Sequence, residues 1–189
     1  MSPPAHSRFR FPVILLATLL AGLSVPGRAQ ASAPPADLQV VSKVPYEGAE
    51  ILAVGFEKLA AFEYAIVDSA TGATPDEIEQ AKLRDQVPAW VRVYQNQRVA
   101  LTGYMLPLQV ANGLAKKFIM MRDVTTCCYG NVPNMNEYVV VTMAGEGVKA
   151  VQDVPVVLVG LLRISETYEN GYIVSLYQMD GEKLLGPKK

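Results

Sequence analysis

Histidine is all but absent from this chain: of 189 residues only His6 carries an imidazole, tryptophan occurs once, and cysteine twice. His6 itself lies in a segment expected to be removed. Residues 1 to 10 hold Arg8 and Arg10 and no acid, Phe11 to Val25 is an uncharged apolar run, and Pro26-Gly27 lead to Ala29-Gln30-Ala31. A basic start, a short apolar stretch and small residues at positions minus three and minus one make a secretory signal peptide, with cleavage expected near Ala31. The run of about 15 apolar residues falls short of the ~20 that span a bilayer. No cysteine adjoins the cleavage site, which argues against a lipid anchor. The expectation is a soluble bacterial protein, exported to the periplasm, that meets the membrane only through its signal segment before cleavage.

Without His6 the mature chain has no imidazole. That excludes Ser-His-Asp and Cys-His nucleophile pairs, HExxH zinc proteases and histidine-based metal sites. There is no CxxC pair, no GxSxG, and no glycine-rich phosphate or nucleotide loop. Cleavage removes Arg8, Arg10 and Arg28 from 17 basic residues and none of the 18 acidic ones, so the mature chain carries a net charge of about −4. An acidic exported domain is a poor fit to nucleic acid, whose binding rests on Lys and Arg. These absences favour a binding or accessory protein over an enzyme.

Half the residues are apolar, so the roughly 158 residues of the mature chain suit one domain with a sizeable core. Residues 32–45, rich in Ala, Pro and Ser, read as a flexible linker. Residues 46–95 read as a helical N-terminal portion packing on a barrel expected downstream, with a short helix over about 55–62. Thr74-Pro75-Asp76-Glu77 is a capping box with proline at the first helical position, predicting a helix over about 75–86. Pro88-Ala89-Trp90 predicts one further turn that docks the tryptophan on the core.

From residue 97 the period becomes that of strands. Val99, Leu101, Gly103 and Met105 alternate with Ala100, Thr102 and Tyr104, and four more strands are expected over 117–122, 137–143, 155–165 and 171–179. Asn112-Gly113 and Asn170-Gly171 are hairpin turns. Gly103 and Gly160 fall mid-strand, where glycine marks a bulge or sharp bend. The expected fold is mainly β (α+β): a five-stranded antiparallel barrel over residues 96–180 resembling the oligonucleotide/oligosaccharide-binding (OB) type, with residues 181–189 as a tail. An open sheet packed on the helices is the competing architecture.

Candidate chemistry centres on the adjacent pair Cys127-Cys128. In an oxidising compartment two thiols can be a structural disulfide, although neighbouring Cα atoms about 3.8 Å apart make such a vicinal bridge strained. Alternatively the pair, set among Thr125, Thr126, Gly130 and Pro133, could turn both sulfurs to one ion. With Met135 that set would suit Cu(I), and with Asp123 or Glu137 it would suit Zn²⁺. Arg122 could lower a thiol pKa modestly, the basis of a redox alternative. A recognition surface is the remaining option, drawing on Tyr104, Tyr129, Tyr138, Tyr172 and Tyr177, with Asn134 and Asn136 beside the Cys loop. Tyrosines clustered around a groove would favour it; buried ones would leave the loop from Asp123 to Glu137 as the locus.

Several short motifs occur together: Val87-Pro88-Ala89-Trp90-Val91, Val99 to Leu108, Met121-Arg122-Asp123, Cys127-Cys128-Tyr129-Gly130, Pro133-Asn134-Met135-Asn136-Glu137 and Val174-Ser175-Leu176-Tyr177. Across residues 87–180 this set resembles a family of exported bacterial proteins known as a domain of unknown function. The resemblance implies small secreted or lipid-anchored relatives, some encoded beside transporter components in zinc-responsive gene clusters. It thereby implies a part in zinc or copper homeostasis and a transporter component, or another exported protein, as partner. It assigns no catalytic residue.

Overall fold

The computed structural model describes residues 36–82, 86–124 and 132–187. In chain order these form α1 (Ala36–Gln39), β1 (Ser42–Tyr46), β2 (Ala49–Gly55), α2 (Phe56–Leu59), a 3-10 turn (Ser69–Thr71), α3 (Pro75–Lys82), α4 (Ala89–Arg92), β3 (Gln97–Ala111), β4 (Leu114–Met121), β5 (Tyr138–Met143), β6 (Val148–Lys149), β7 (Val156–Glu169) and β8 (Tyr172–Pro187). Among them no helix is long and apolar enough to cross a membrane.

Three two-residue turns set the register. Glu47-Gly48, Asn112-Gly113 and Asn170-Gly171 have positive φ at both positions, the conformation whose twist matches antiparallel strands. They close the hairpins β1–β2, β3–β4 and β7–β8. The long β3 then serves two antiparallel neighbours, pairing through Gln97 to Gly103 with β7 and through Tyr104 to Ala111 with β4. Pairing continues from β4 to β5, from β5 to β8, and from β8 back to β7.

The expectation of a five-stranded antiparallel barrel is therefore corrected. The sheet is mixed and eight-stranded, in the order β1-β2-β3-β7-β8-β5-β4-β6, and β3, β4, β5, β8 and β7 form a partial ring within it. Two pairings are parallel, β2–β3 and β5–β8. The second arises because β5 lies beside β8 rather than β7, and β8 has already reversed at Asn170-Gly171. Side-chain alternation fixes which face a residue takes but not the direction of its neighbour. The end of the expected linker forms β1, and β8 runs to Pro187 through most of the expected tail.

Alternation along β3 sorts the interior. Val99, Leu101 and Met105 enter the main core with Phe118, Met120, Val139, Val141, Leu158, Leu162, Leu176 and Met179. Ala100 instead meets Tyr46, Ile51 and Val159 in a smaller cluster under the β1–β2 hairpin. Each fully buried Val, Leu, Phe or Met contributes roughly 1.5–3 kcal/mol relative to exposure. Phe56, Leu59, Val91 and Tyr94 join the main core and Trp90 packs on it, so the helical segments close one side. The Tyr177 hydroxyl donates to the Leu59 carbonyl at 2.9 Å, fastening the end of α2 to β8.

The mid-strand glycines sit where other chain comes close, a Cβ on Gly103 meeting the Met121 carbonyl. Gly160 faces Gly181 across β7–β8 beside a register shift, and a Cβ on Gly160 would run into the Asp180 carbonyl. At α3 the capping box forms as the sequence implies: Thr74 N–H donates to Glu77 Oε2 at 2.8 Å and Glu77 N–H reaches Thr74 Oγ1 at 3.4 Å. The Thr74 N–H and the Thr74 hydroxyl, both donating to Glu77 Oε2, hold that carboxyl below its ordinary pKa.

Candidate functional site

Cys127, Cys128 and Tyr129 lie outside the described residues, so the structure is informative about the two ends of the loop that carries them. These ends are tied together. Arg122 N–H donates to the Glu137 carbonyl at 3.1 Å, and the Arg122 guanidinium meets Glu137 Oε1 at 3.0 Å. Glu137 Oε2 accepts from the backbone and side-chain amides of Asn134 at 3.0 and 3.1 Å. Glu137 thus spends both carboxylate oxygens within the loop. Asp123, at the start of the loop, is half-buried.

The other predicted residues at this end are anchors as well. Asn136 is 3% exposed and its Nδ2 donates to the Phe62 carbonyl at 2.6 Å, clipping the loop to the segment after α2. Tyr138 is buried; its hydroxyl lies 2.9 Å from Met135 Sδ and 3.0 Å from the Val174 carbonyl, and burial raises its pKa. Among the described residues no group of three or more His, Cys, Asp or Glu could hold a metal ion.

The described tyrosines do not gather into a platform. Tyr177 and Tyr138 are buried, Tyr172 is exposed, and Tyr104 is half-buried in a cleft beside β2. Elsewhere Tyr64 and Tyr168 both donate to Glu166, the second at 2.9 Å. Burial, then Glu166, pushes the Tyr168 phenol up to about 12 and Tyr64 well above the ordinary phenol range.

What the sheet does present is a groove of about 560 Å³ across the outer face of β4, β5, β8 and β7. Its floor comes from alternation. Phe118, Met120, Val139 and Val141 point into the core, so Lys117, Ile119, Val140 and Thr142 point out. Register places Ile119 opposite Val140, Val140 opposite Gln178, and Gln178 opposite Arg163. Val132, Pro133 and Met135, the described end of the Cys loop, line the groove together with Leu108 of β3. Val132 is 87% exposed and Leu108 53%. Arg163 and Asp180 form a two-bonded ion pair at 2.5 and 2.6 Å, and Gln178 is held by Ser165 and Ser175. Bidentate pairing of this kind fixes an Arg fork in one plane.

Of the residues that the sequence singles out, Met135 alone among the described metal candidates lines this groove. Ile119, Val140, Val174 and Leu108 were not anticipated. Their signal was present: Phe118-Ile119-Met120 and Val139-Val140-Val141 are apolar on both faces, where a sheet with one solvated face should alternate.

No curated protein matches the sequence. A crystal structure of a DUF3299 family protein from Pseudomonas aeruginosa PAO1 is similar in fold, with a TM-score of 0.50 and 20% identity over 72% of this chain and 95% of that one. The family model described as a protein of unknown function (DUF3299) matches residues 55–185, so the chain belongs to the DUF3299 family.

Proposed function

We propose that this chain is an exported, non-enzymatic recognition protein that holds an extended apolar peptide segment of another exported protein, or of a transporter component, in the groove over β4, β5 and β8. The observation that carries this is the aliphatic floor of Ile119, Val140 and Val174, open to solvent beneath the exposed side chains of Leu108 and Val132. Exposed apolar surface in one continuous patch marks an interaction site more often than scattered residues do. Around that floor, Thr142 and Thr167 offer hydroxyls, and Lys117 and Glu169 offer opposite charges. That mixture suits the amides and side chains of a peptide.

The five-strand ring is read as an OB-like barrel, with β4 and β5 as the second and third of its strands. In that architecture the face of these two strands is the usual ligand surface. Among the described residues the groove has no accessible aromatic platform of the kind on which bases or sugar rings stack, since its tyrosine there, Tyr138, is buried and bonded inward. An exported location agrees with the signal-like pattern of the first 31 residues.

Metal handling by the loop from Asp123 to Glu137 is the second reading, favoured by the adjacent thiols and the resemblance to proteins of zinc-responsive clusters. Its ligands would be Cys127 and Cys128, because Glu137 is engaged by Arg122 and Asn134, and Met135 Sδ faces the Tyr138 hydroxyl. Metal analysis of the exported protein beside a Cys127→Ser/Cys128→Ser double variant decides it; equal trace metal in both removes this reading.

The peptide reading is tested by selecting displayed peptides against the full exported chain and measuring their affinity for wild type, Val140→Glu and Val93→Glu. Val93 is exposed outside the groove. A carboxylate at position 140 should weaken binding by tenfold or more, about 1.4 kcal/mol, and one at position 93 should not. Equal affinities for all three would remove the groove from the account.

A further inference from the structure

The groove over β4, β5 and β8 is lined by four charged side chains, Lys117, Arg163, Glu169 and Asp180. Two of them satisfy each other, since the Arg163 guanidinium holds the Asp180 carboxylate by two hydrogen bonds. The other two are left over. Lys117 and Glu169 are exposed, and neither side chain makes an ion pair or a hydrogen bond among the described residues. Their signs are opposite, so the groove is neutral as a whole and differs in charge between its ends.

Strand register keeps these two residues apart. Lys117 sits opposite Thr142 and Thr142 opposite Asp180, which fixes the level of the lysine on β8. Glu169 sits opposite Tyr172, the last pair before the β7–β8 turn. From Asp180 back to Tyr172, β8 runs about eight residues, so an extended segment of similar length reaches from one charge to the other. The aliphatic floor lies between them. Ile119 and Val140 are the next outward positions after Lys117 and Thr142, and Val174 lies toward the Glu169 end.

Water solvates exposed charges well, so neither residue demands a ligand. Their effect is on choice: a segment laid along the floor brings its ends beside them, where a like charge is repelled and an opposite one is held. Resting on the reading of the groove as a peptide site, we infer that the segment it holds is bipolar. Its middle is uncharged and aliphatic, one end carries an acidic side chain over Lys117, and the other carries a basic side chain over Glu169. The Arg163–Asp180 pair presents both signs at one place and selects neither.

The test takes the uncharged central residues of a peptide selected on the full exported chain and blocks both termini. Three versions are synthesised, with Asp at one end and Lys at the other, with Asp at both ends, and with Lys at both ends. Each is titrated at low ionic strength into wild type, Lys117→Glu and Glu169→Lys. Wild type should bind the Asp/Lys version about threefold or more tighter than the other two. With both groove ends acidic, Lys117→Glu should prefer Lys at both ends, and Glu169→Lys should prefer Asp at both ends. Lys43→Glu, a charge reversal at an exposed lysine outside the groove, should keep the wild-type order. Crossed preferences of this kind do not arise from a loss of stability. The same order of affinities in all four proteins would overturn the bipolar assignment and leave the peptide reading in place. A selection that yields no binder, or binding that ignores Val140→Glu, would remove both.

Discussion

Asn136 separates two roles that sequence alone left together, since a loop asparagine beside a cysteine pair can contact a ligand or hold the loop. Here it is 3% exposed and spends its amide on the Phe62 carbonyl at 2.6 Å, joining residues 74 positions apart. Asn136→Ala removes that donor and leaves a part-buried carbonyl without it. Losing one partner of a buried hydrogen bond costs about 1–3 kcal/mol. For a domain of this size 1 kcal/mol moves Tm by roughly 2–4 °C, so a drop of about 2–12 °C is expected. Asn134→Ala is the internal control. Asn134 is exposed and contacts the half-buried Glu137, which keeps its pairing with the exposed Arg122, so its loss should stay within about 1 kcal/mol. Urea unfolding of the three proteins, followed by far-ultraviolet circular dichroism, measures both. If Asn136→Ala unfolds within about 0.5 kcal/mol of wild type, or Asn134→Ala proves the more costly, Asn136 is not a structural clip.

Gly160→Ala should destabilise by about 3 kcal/mol or block folding, because the new Cβ meets the Asp180 carbonyl and backbone cannot yield as a flexible side chain would; equal urea midpoints would contradict this. The raised phenols make stability fall at alkaline pH. Tyr168 holds its proton more tightly folded (about 12) than unfolded (~10), so its contribution is complete below pH ~10 and is lost as pH rises toward 12. Phenolate absorbance should show Tyr64, Tyr168 and Tyr177 ionising only as the chain unfolds; early ionisation of all nine tyrosines would refute it. Thr74→Ala, which breaks the capping box at α3, should cost about 1 kcal/mol, and an unchanged midpoint would show the cap to be idle.

Much of the β architecture was legible because its determinants are local. The two Asn-Gly turns and the alternation of Val99 to Met105 specify local backbone and facing regardless of distant partners. The α3 start was legible for the same reason, since Thr74, Pro75 and Glu77 satisfy one another. Strand direction was not. Val140 reads alike whether its neighbour Gln178 runs with it or against it, and the parallel β5–β8 pair depends on which strand the connection after Met143 reaches. The β1 strand was hidden for another reason: Ser42–Tyr46 contains Lys43 and Pro45, residues that suit an unpaired sheet edge and lower strand propensity.

The candidate site divides in a similar way. The described end of the loop between Asp123 and Glu137, at Val132 to Met135, lines a groove. The roles of Glu137, Asn136 and Tyr138 were not legible, because an acid, an amide or a phenol names its chemistry and not its partner. Glu137 reads as a ligand until Arg122 and Asn134 are seen to occupy it. The groove floor was overlooked because aliphatic residues within strands are taken first as core.

The most direct test is methyl NMR of the exported chain titrated with a peptide selected for binding it. The account predicts shifts concentrated at Ile119, Val140 and Val174, with Leu108 and Val132 responding next and Val93 and Val40 still. Shifts centred away from β4 and β5, with those methyls silent at saturation, would contradict it.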